Sequence, residues 1–434
     1  MLQQTITPPA TQQGLSSRIG IIGGGPAGLS MARLLKEQGF KNVTVFEALP
    51  QVGGKSFTAQ YGQTLVEMGT AYATYSHRIT NKWTRQLGMK MGRLGMVRFN
   101  GADFMDYVNA GSGPMLLVQI WRYLNARRKV LKALEQPTPP KWALEQAAMP
   151  IRDWLRERDL GKMENFMHRS TTNLAYGFID VLPTVQALRW NDFELMAAGA
   201  LKQLKFPVDG WAEFWARIAA GLDVRLNAKV TQVERRDADV LITTQDGQVH
   251  EFDLMVCAIP VDDLGKVADL TPNEKIVTES IEWNGYTTTV IVVENWFDDT
   301  HVDSFKEAVV PGAKLGQMLS VRYEGYVPDL GGHVYLTGQL TGDYSGPELA
   351  EILKSDVEKR GGQVTNVVLQ KMWKYHSQYK AEAILDGLLT RLEDMQGEAH
   401  TWYTGATFSH EVVSHIVNYN AELAQRLQKA VVTS

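Results

Sequence analysis

The 434-residue chain is 44% apolar and 21% charged with a formal charge of −4, the profile of an ordinary globular protein. No basic domain stands out, which argues against nucleic acid as the main partner. A single cysteine, Cys257, excludes an intramolecular disulfide and a cysteine-rich metal site.

Residues 1–16, MLQQTITPPATQQGLS, lack the basic start and apolar middle of a signal peptide and are predicted to be a flexible tail. No apolar run is long enough to cross a bilayer, and the reading is a cytoplasmic protein.

The next stretch, RIGIIGGGPAGLSMARLLKEQGFKNVTVFEA, carries the first chemistry. Ile19 to Ile22 reads as a buried strand, and Leu29, Ala32, Leu34 and Leu35 mark an amphipathic helix closed by Gly39. Val43 to Phe46 is a second strand, ending in Glu47. Between strand and helix, Gly23 permits a tight turn, Gly25 lets backbone approach a pyrophosphate, and Gly28 permits close helix–strand packing. The helix start then attracts phosphate charge. Glu47 stands where a dinucleotide fingerprint places its ribose-binding acid, and would repel a 2′-phosphate. A second glycine pair follows in Gly53-Gly54-Lys55, with another small-residue approach in Glu67-Met68-Gly69-Thr70.

From about Ser76 to Leu204 the chain is predicted mainly helical, broken by the proline loop 137–140. Within it, 115–132 gathers Arg122, Arg127, Arg128, Lys129 and Lys132 beside Met115, Leu116, Leu117 and Ile120. That is a solvated basic face or a peripheral contact with an anionic membrane. A helix over 212–220 leads into short strands with turns at 237–239 and 246–247, and a buried strand ends at Ala258. Strands and helices alternate to about 394. A strand, Gly405, a loop and a closing helix end the sequence. The nine histidines show no metal spacing, and His410 and His415 are read as structural.

Taken together, Gly23 to Gly28, Glu47, Gly53-Gly54-Lys55, Glu67-Met68-Gly69, Val230 and Gly405 resemble, in that order, the FAD-dependent amine oxidase superfamily. The resemblance implies an α/β fold. A Rossmann-type, glutathione-reductase-like FAD-binding domain (17–75, 206–265 and 395–434) would carry a helical subdomain (76–205) and an inserted α+β substrate domain (266–394). It implies non-covalent FAD. The pyrophosphate would lie over Gly25, Pro26 and Ala27, and the ribose at Glu47 and Ala48. Gly54 and Lys55 would make the second approach, with Val230 at the adenine. Met68, Gly69 and Thr70 would lie near the isoalloxazine, with Gly405 and Val413 also at the flavin.

Within the superfamily, SRIGIIGGGPAGL, VGGKSF, VEMGT, LRWNDF and YTGATFS resemble the bacterial polyunsaturated fatty acid double-bond isomerases. That likeness implies redox-neutral isomerisation by hydride transfer with flavin N5, on an apolar small molecule bearing a carboxylate. Arg98 falls on the position of an arginine at the isomerases' tunnel mouth. Gly199 replaces their lid phenylalanine, Ala406 replaces the superfamily's ribityl-binding acid, and Thr289 stands where amine oxidases carry a lysine near N5. Tyr375 and Tyr379, with Trp373, are expected to wall the substrate side or to pack in the core. A flavin amine or amino-acid oxidase, and a non-catalytic FAD-binding protein, are the alternatives. The sequence leaves the oligomeric state open.

Overall fold

A computed structural model describes residues 14–109, 115–299 and 301–433. At its centre is a five-stranded parallel sheet ordered Thr401–Tyr403, Leu254–Cys257, Arg18–Ile22, Asn42–Phe46, Asp223–Arg225. Parallel strands need crossovers, and this one sheet draws its strands from residues 18–46, 223–257 and 401–403.

The first crossover is helix Pro26–Glu37, with proline in its first turn, where a missing N–H costs nothing. It buries Met31, Ala32 and Leu35 against the sheet and Leu29 against Trp83, Trp211 and Val417, and exposes Lys36 and Glu37. A Cβ on Gly28 would sit 1.9 Å from the Gly23 carbonyl oxygen, so only glycine permits this closeness. The closing helix Val413–Thr433 packs on the same helix, and the Asn420 amide donates to the Ala27 carbonyl and to Ser30 Oγ, both at 2.7 Å. An antiparallel meander, Val230–Arg235, Val240–Thr244 and Val249–Phe252, turns where predicted.

A mixed seven-stranded sheet forms the second layer, ordered Gln363–Trp373, Tyr286–Glu294, Gly332–Leu340, Met318–Val327, His301–Ser304, Met96–Phe99, Ala102–Asp103. Its last two strands correct the helical reading of 76–205. Met96–Phe99 pairs parallel with His301–Ser304, and Phe99 enters the core of that sheet. The remainder, 115–200, is helical around Tyr123, Trp154 and Trp190.

The expected substrate-domain limits also shift. Val277, Ile281, Tyr379, Ile384 and Leu388 share one core with Val233, Ile242 and Cys257, so both ends of 266–394 pack with the nucleotide domain. Of the expected tail, 1–13 lies outside the described residues. Gly14–Ser16 is a 3-10 turn, held because Leu15 packs on the cluster around Ile19 and Leu427.

Candidate active site

A cavity opens at the carboxyl ends of the central strands, where open α/β sheets bind ligands. Its floor is the start of helix Pro26–Glu37, which has no side-chain cap and no acid in its first turn. A Cβ on Gly25 would meet only the Gly54 Cα, at 3.7 Å, so both backbones are bare towards the space between them. Gly54 itself has φ +51°, a conformation L side chains rarely take. Glu47 is buried here. Its Oε2 accepts the Gly24 N–H and its Oε1 the Leu49 N–H, each at 2.8 Å, which fixes the carboxylate and leaves lone pairs for a diol. Unclaimed helix N–H groups, a glycine-lined approach and a fixed acid fit the pyrophosphate and ribose of FAD.

Deeper in, the cavity becomes aromatic. Tyr176 stacks on Tyr375 at 6.0 Å and 9°, Tyr375 leans on Tyr286 at 5.2 Å, and Trp190 and Trp373 complete the wall. Lys55 lies 5.1 Å from the Tyr375 ring and pairs with the buried Glu411 at 2.6 Å. Glu411 also accepts the His376 N–H at 2.9 Å, so the acid of the late loop organises its neighbours. His410 packs edge-on to Tyr176 at 4.8 Å, and burial holds it well below the usual histidine range. Burial likewise brings His376 and His77 down to about 3; His77 lines the cavity, while His376 and His410 pack behind Tyr176.

A second cavity adjoins the first. Tyr72 lines both. Leu94, Met96, Phe104, Phe166, Leu195 and Leu204 make the second one apolar. Its polar members include Ser170, the buried Arg169 and the pair Asp103–Lys202 at 3.0 Å.

The structure gathers Gly23, Gly25, Pro26, Ala27, Glu47, Gly54, Lys55, Gly69, Thr70, Tyr375, Gly405 and Val413 around the first cavity, and Gly199 at the second. Met68 instead packs in the core, as does Val230, and Ala48 is exposed; none of the three lines the cavity. Tyr379 is not on a substrate wall. It is buried, donating from its hydroxyl to the Thr407 carbonyl at 2.5 Å, and it ties strand Ser377–Tyr379 to the late loop.

Arg98 lines neither cavity. Parallel pairing with His301–Ser304 brings it to Asp299 at 3.1 Å and to His301 Nδ1 at 3.3 Å, while its neighbours Met96 and Val97 face the apolar space. Thr289 is fully buried and lines neither cavity.

Tyr72, Arg169, Tyr176 and Glu411 were not singled out from the sequence. Only Glu411 had a usable signal, as the one acid between Thr404 and Val413. The Cys257 thiol donates to the Ile259 carbonyl, and burial pushes it up to about 12, far from a reactive thiolate. Among the described residues no group of three or more His, Cys, Asp or Glu is placed to hold a metal, and no helix is long and apolar enough to cross a membrane.

The fold and site define a FAD-dependent enzyme. A profile of the flavin containing amine oxidoreductases matches residues 26–381, and the chain belongs to that family. It is 27% identical over 255 residues to the lysine-specific histone demethylase 1B of Mus musculus, covering 56% of this chain and 29% of that protein. It is 21% identical over 258 residues to the polyenoic fatty acid isomerase of Ptilota filicina, covering 50% of each. The chain thus spans half or less of the length of these curated relatives. The crystal structure of the CLA-producing fatty acid isomerase from P. acnes superposes with a TM-score of 0.82 at 23% identity, covering 95% of this chain and 99% of that one, and shows a shared fold.

Proposed function

We propose that this protein is a redox-neutral isomerase that shifts double bonds in an unsaturated fatty acid or similar polyene. The observation that carries the reading is the apolar cavity that meets the cofactor site at Tyr72. A long hydrocarbon chain fits such a lining, and the fold and partial sequence likeness to fatty acid isomerases supports it. Bound FAD supplies hydride-accepting and hydride-returning chemistry.

The protein's own part is dryness and orientation. Tyr176, Trp190 and Tyr375 exclude water from the reacting carbons, and their ring faces stabilise positive charge on a polyene. The buried histidines beside them are neutral and add no competing charge. No acid–base pair is required.

We further propose that helix Met115–Leu134 touches anionic membrane. Leu117 is 71% and Trp121 68% exposed, near Arg128, Lys129 and Lys132. FAD is read as non-covalently held and the protein as cytoplasmic.

An amine or amino-acid oxidase is the second reading, favoured by relatives such as the histone demethylase. Anaerobic mixing with linoleate separates the two. The isomerase produces a rising conjugated-diene band with the flavin still oxidised. Bleaching by an amine, with no diene from linoleate, overturns the proposal.

A further inference from the structure

We propose that Arg169 is the anchor for the substrate's carboxylate, acting from the lining of the second cavity with the Tyr72 hydroxyl bearing on its charge. The inference rests on the reading of an apolar, carboxylate-bearing substrate, and it replaces Arg98 as the cation that recognises it.

Arg169 lies in the last turn of the short helix Glu164–Ser170 and is only 7% exposed. Among the described residues no carboxylate lies within 4.0 Å of it, whereas Arg98 is paired with Asp299. Its Nη1 donates to the Asn173 amide oxygen at 2.9 Å, while the Asn173 nitrogen is held by Ser304 Oγ and the Leu319 carbonyl. Its Nε has no partner at all. The groups that bear on its charge are the Tyr72 and Tyr286 hydroxyls, neither of them an anion at neutral pH.

An arginine keeps its proton under any ordinary condition, so this is a buried, uncompensated cation. Such a charge costs several kcal/mol to desolvate unless an anion arrives to pair with it. Two features say where the anion comes from. Arg169 lines the second cavity and not the first, so it faces the substrate side rather than the FAD cradle. Tyr72, common to both, marks the inner end of the second cavity, while Lys202, 65% exposed, marks the outer end.

Apart from Tyr72, Ser170 and the mutually paired Asp103 and Lys202, the rest of that lining is apolar, which selects a ligand with one anionic head and a hydrocarbon body. A planar guanidinium offers a carboxylate two parallel donors. An alkylammonium would meet like charge in a medium of low polarity, so the same residue selects against amines.

The test is calorimetric titration of the holoenzyme with linoleate, linoleyl alcohol and an alkylamine of equal length. The native enzyme is expected to bind the acid at least tenfold tighter than the alcohol, and the amine weakest. Arg169→Gln is expected to lose about 100-fold in affinity for linoleate and little for the alcohol. Arg169→Lys should recover part of the loss. A purely structural arginine predicts that Arg169→Gln melts lower. An unpaired buried charge predicts that substrate-free Arg169→Gln melts higher.

Equal affinities of the native enzyme for acid and alcohol would overturn the anchor without any variant. So would a linoleate affinity lost in Arg98→Gln but kept in Arg169→Gln. Arg169-dependent binding without diene formation leaves the anchor standing and removes the isomerase. Diene formation with an unchanged KM in Arg169→Gln does the reverse.

Discussion

Gly69 lies so close to Lys55 that a Cβ there would be 1.6 Å from the Lys55 carbonyl oxygen. The contact is between two backbones, so no side chain can rotate away to relieve it. It sets the second glycine loop against the segment that follows the strand ending at Glu67, and Gly54, Lys55 and Gly69 all line the cofactor cavity. Gly69→Ala must therefore push the segments apart, at a cost above the ~1–3 kcal/mol of ordinary overpacking. The variant is expected to purify with little yellow colour and a lowered melting temperature. A variant with native flavin absorbance per chain would show that the loops can separate freely.

Glu47 serves the fold before it serves a ligand, since it accepts both the Gly24 and Leu49 N–H groups. Removing it leaves two inward amides without an acceptor, at about 1.5–3 kcal/mol for each bond to a charged group. Glu47→Ala is expected to weaken FAD binding by about 100-fold and to destabilise the apoprotein as well. Quenching of FAD fluorescence on titration of apoprotein measures the first effect, and a urea melt the second. Weakened FAD binding with a native urea midpoint would limit Glu47 to the ribose.

Burial raises Glu67 from about 4.5 to about 7, although the Trp211 N–H and Thr58 Oγ1 both donate to it. Between those values the unfolded chain releases this proton while the folded chain keeps it. Stability therefore falls as pH rises from 4.5 to 7 and the cost stays constant above. The window corresponds to about 3 kcal/mol. Glu67→Gln keeps an acceptor for Trp211 and cannot ionise. Its melting temperature should match the native protein's near pH 4.5 and exceed it at pH 8. Parallel curves for the two proteins would mean that Glu67 titrates normally.

The exposed face of helix Met115–Leu134 supplies a test of membrane contact. Replacing Leu117 and Trp121 by serine changes residues that face solvent, so stability should move by less than about 0.5 kcal/mol. Co-sedimentation with phosphatidylserine-containing vesicles should be lost in this variant, and weakened by salt in the native protein. Native protein that stays in the supernatant at low salt removes the contact from the proposal.

The cofactor cradle was legible from the sequence because it makes backbone demands that only certain residues meet. Gly23, with φ +109°, and Gly28 are required wherever this turn is built. The substrate side makes no such local demand. Tyr72 and Arg169 reach one cavity from a loop after the second glycine pair and from a helix nearly a hundred residues later, and no spacing encodes that meeting. Arg98 shows the opposite error. Its position in the chain suggested a tunnel mouth, but the partner of its strand arrives from residue 301 and brings Asp299 with it. Tyr379 was drawn in by composition, since an aromatic residue serves a wall or a core equally well until its hydroxyl is seen bonded to Thr407.

The Asn420 clamp on Ala27 has a consequence for how the protein is made. The phosphate-binding turn precedes in the chain both Thr401–Tyr403, a flanking strand of its sheet, and Val413–Thr433, the neighbour of its helix, so it leaves the ribosome well before either of them. The nascent chain therefore carries an unfinished nucleotide site while every element between the turn and Thr401–Tyr403 is made. Completion of the cofactor cradle thus waits on contacts that are distant in the chain, and local folding of the turn alone cannot supply them.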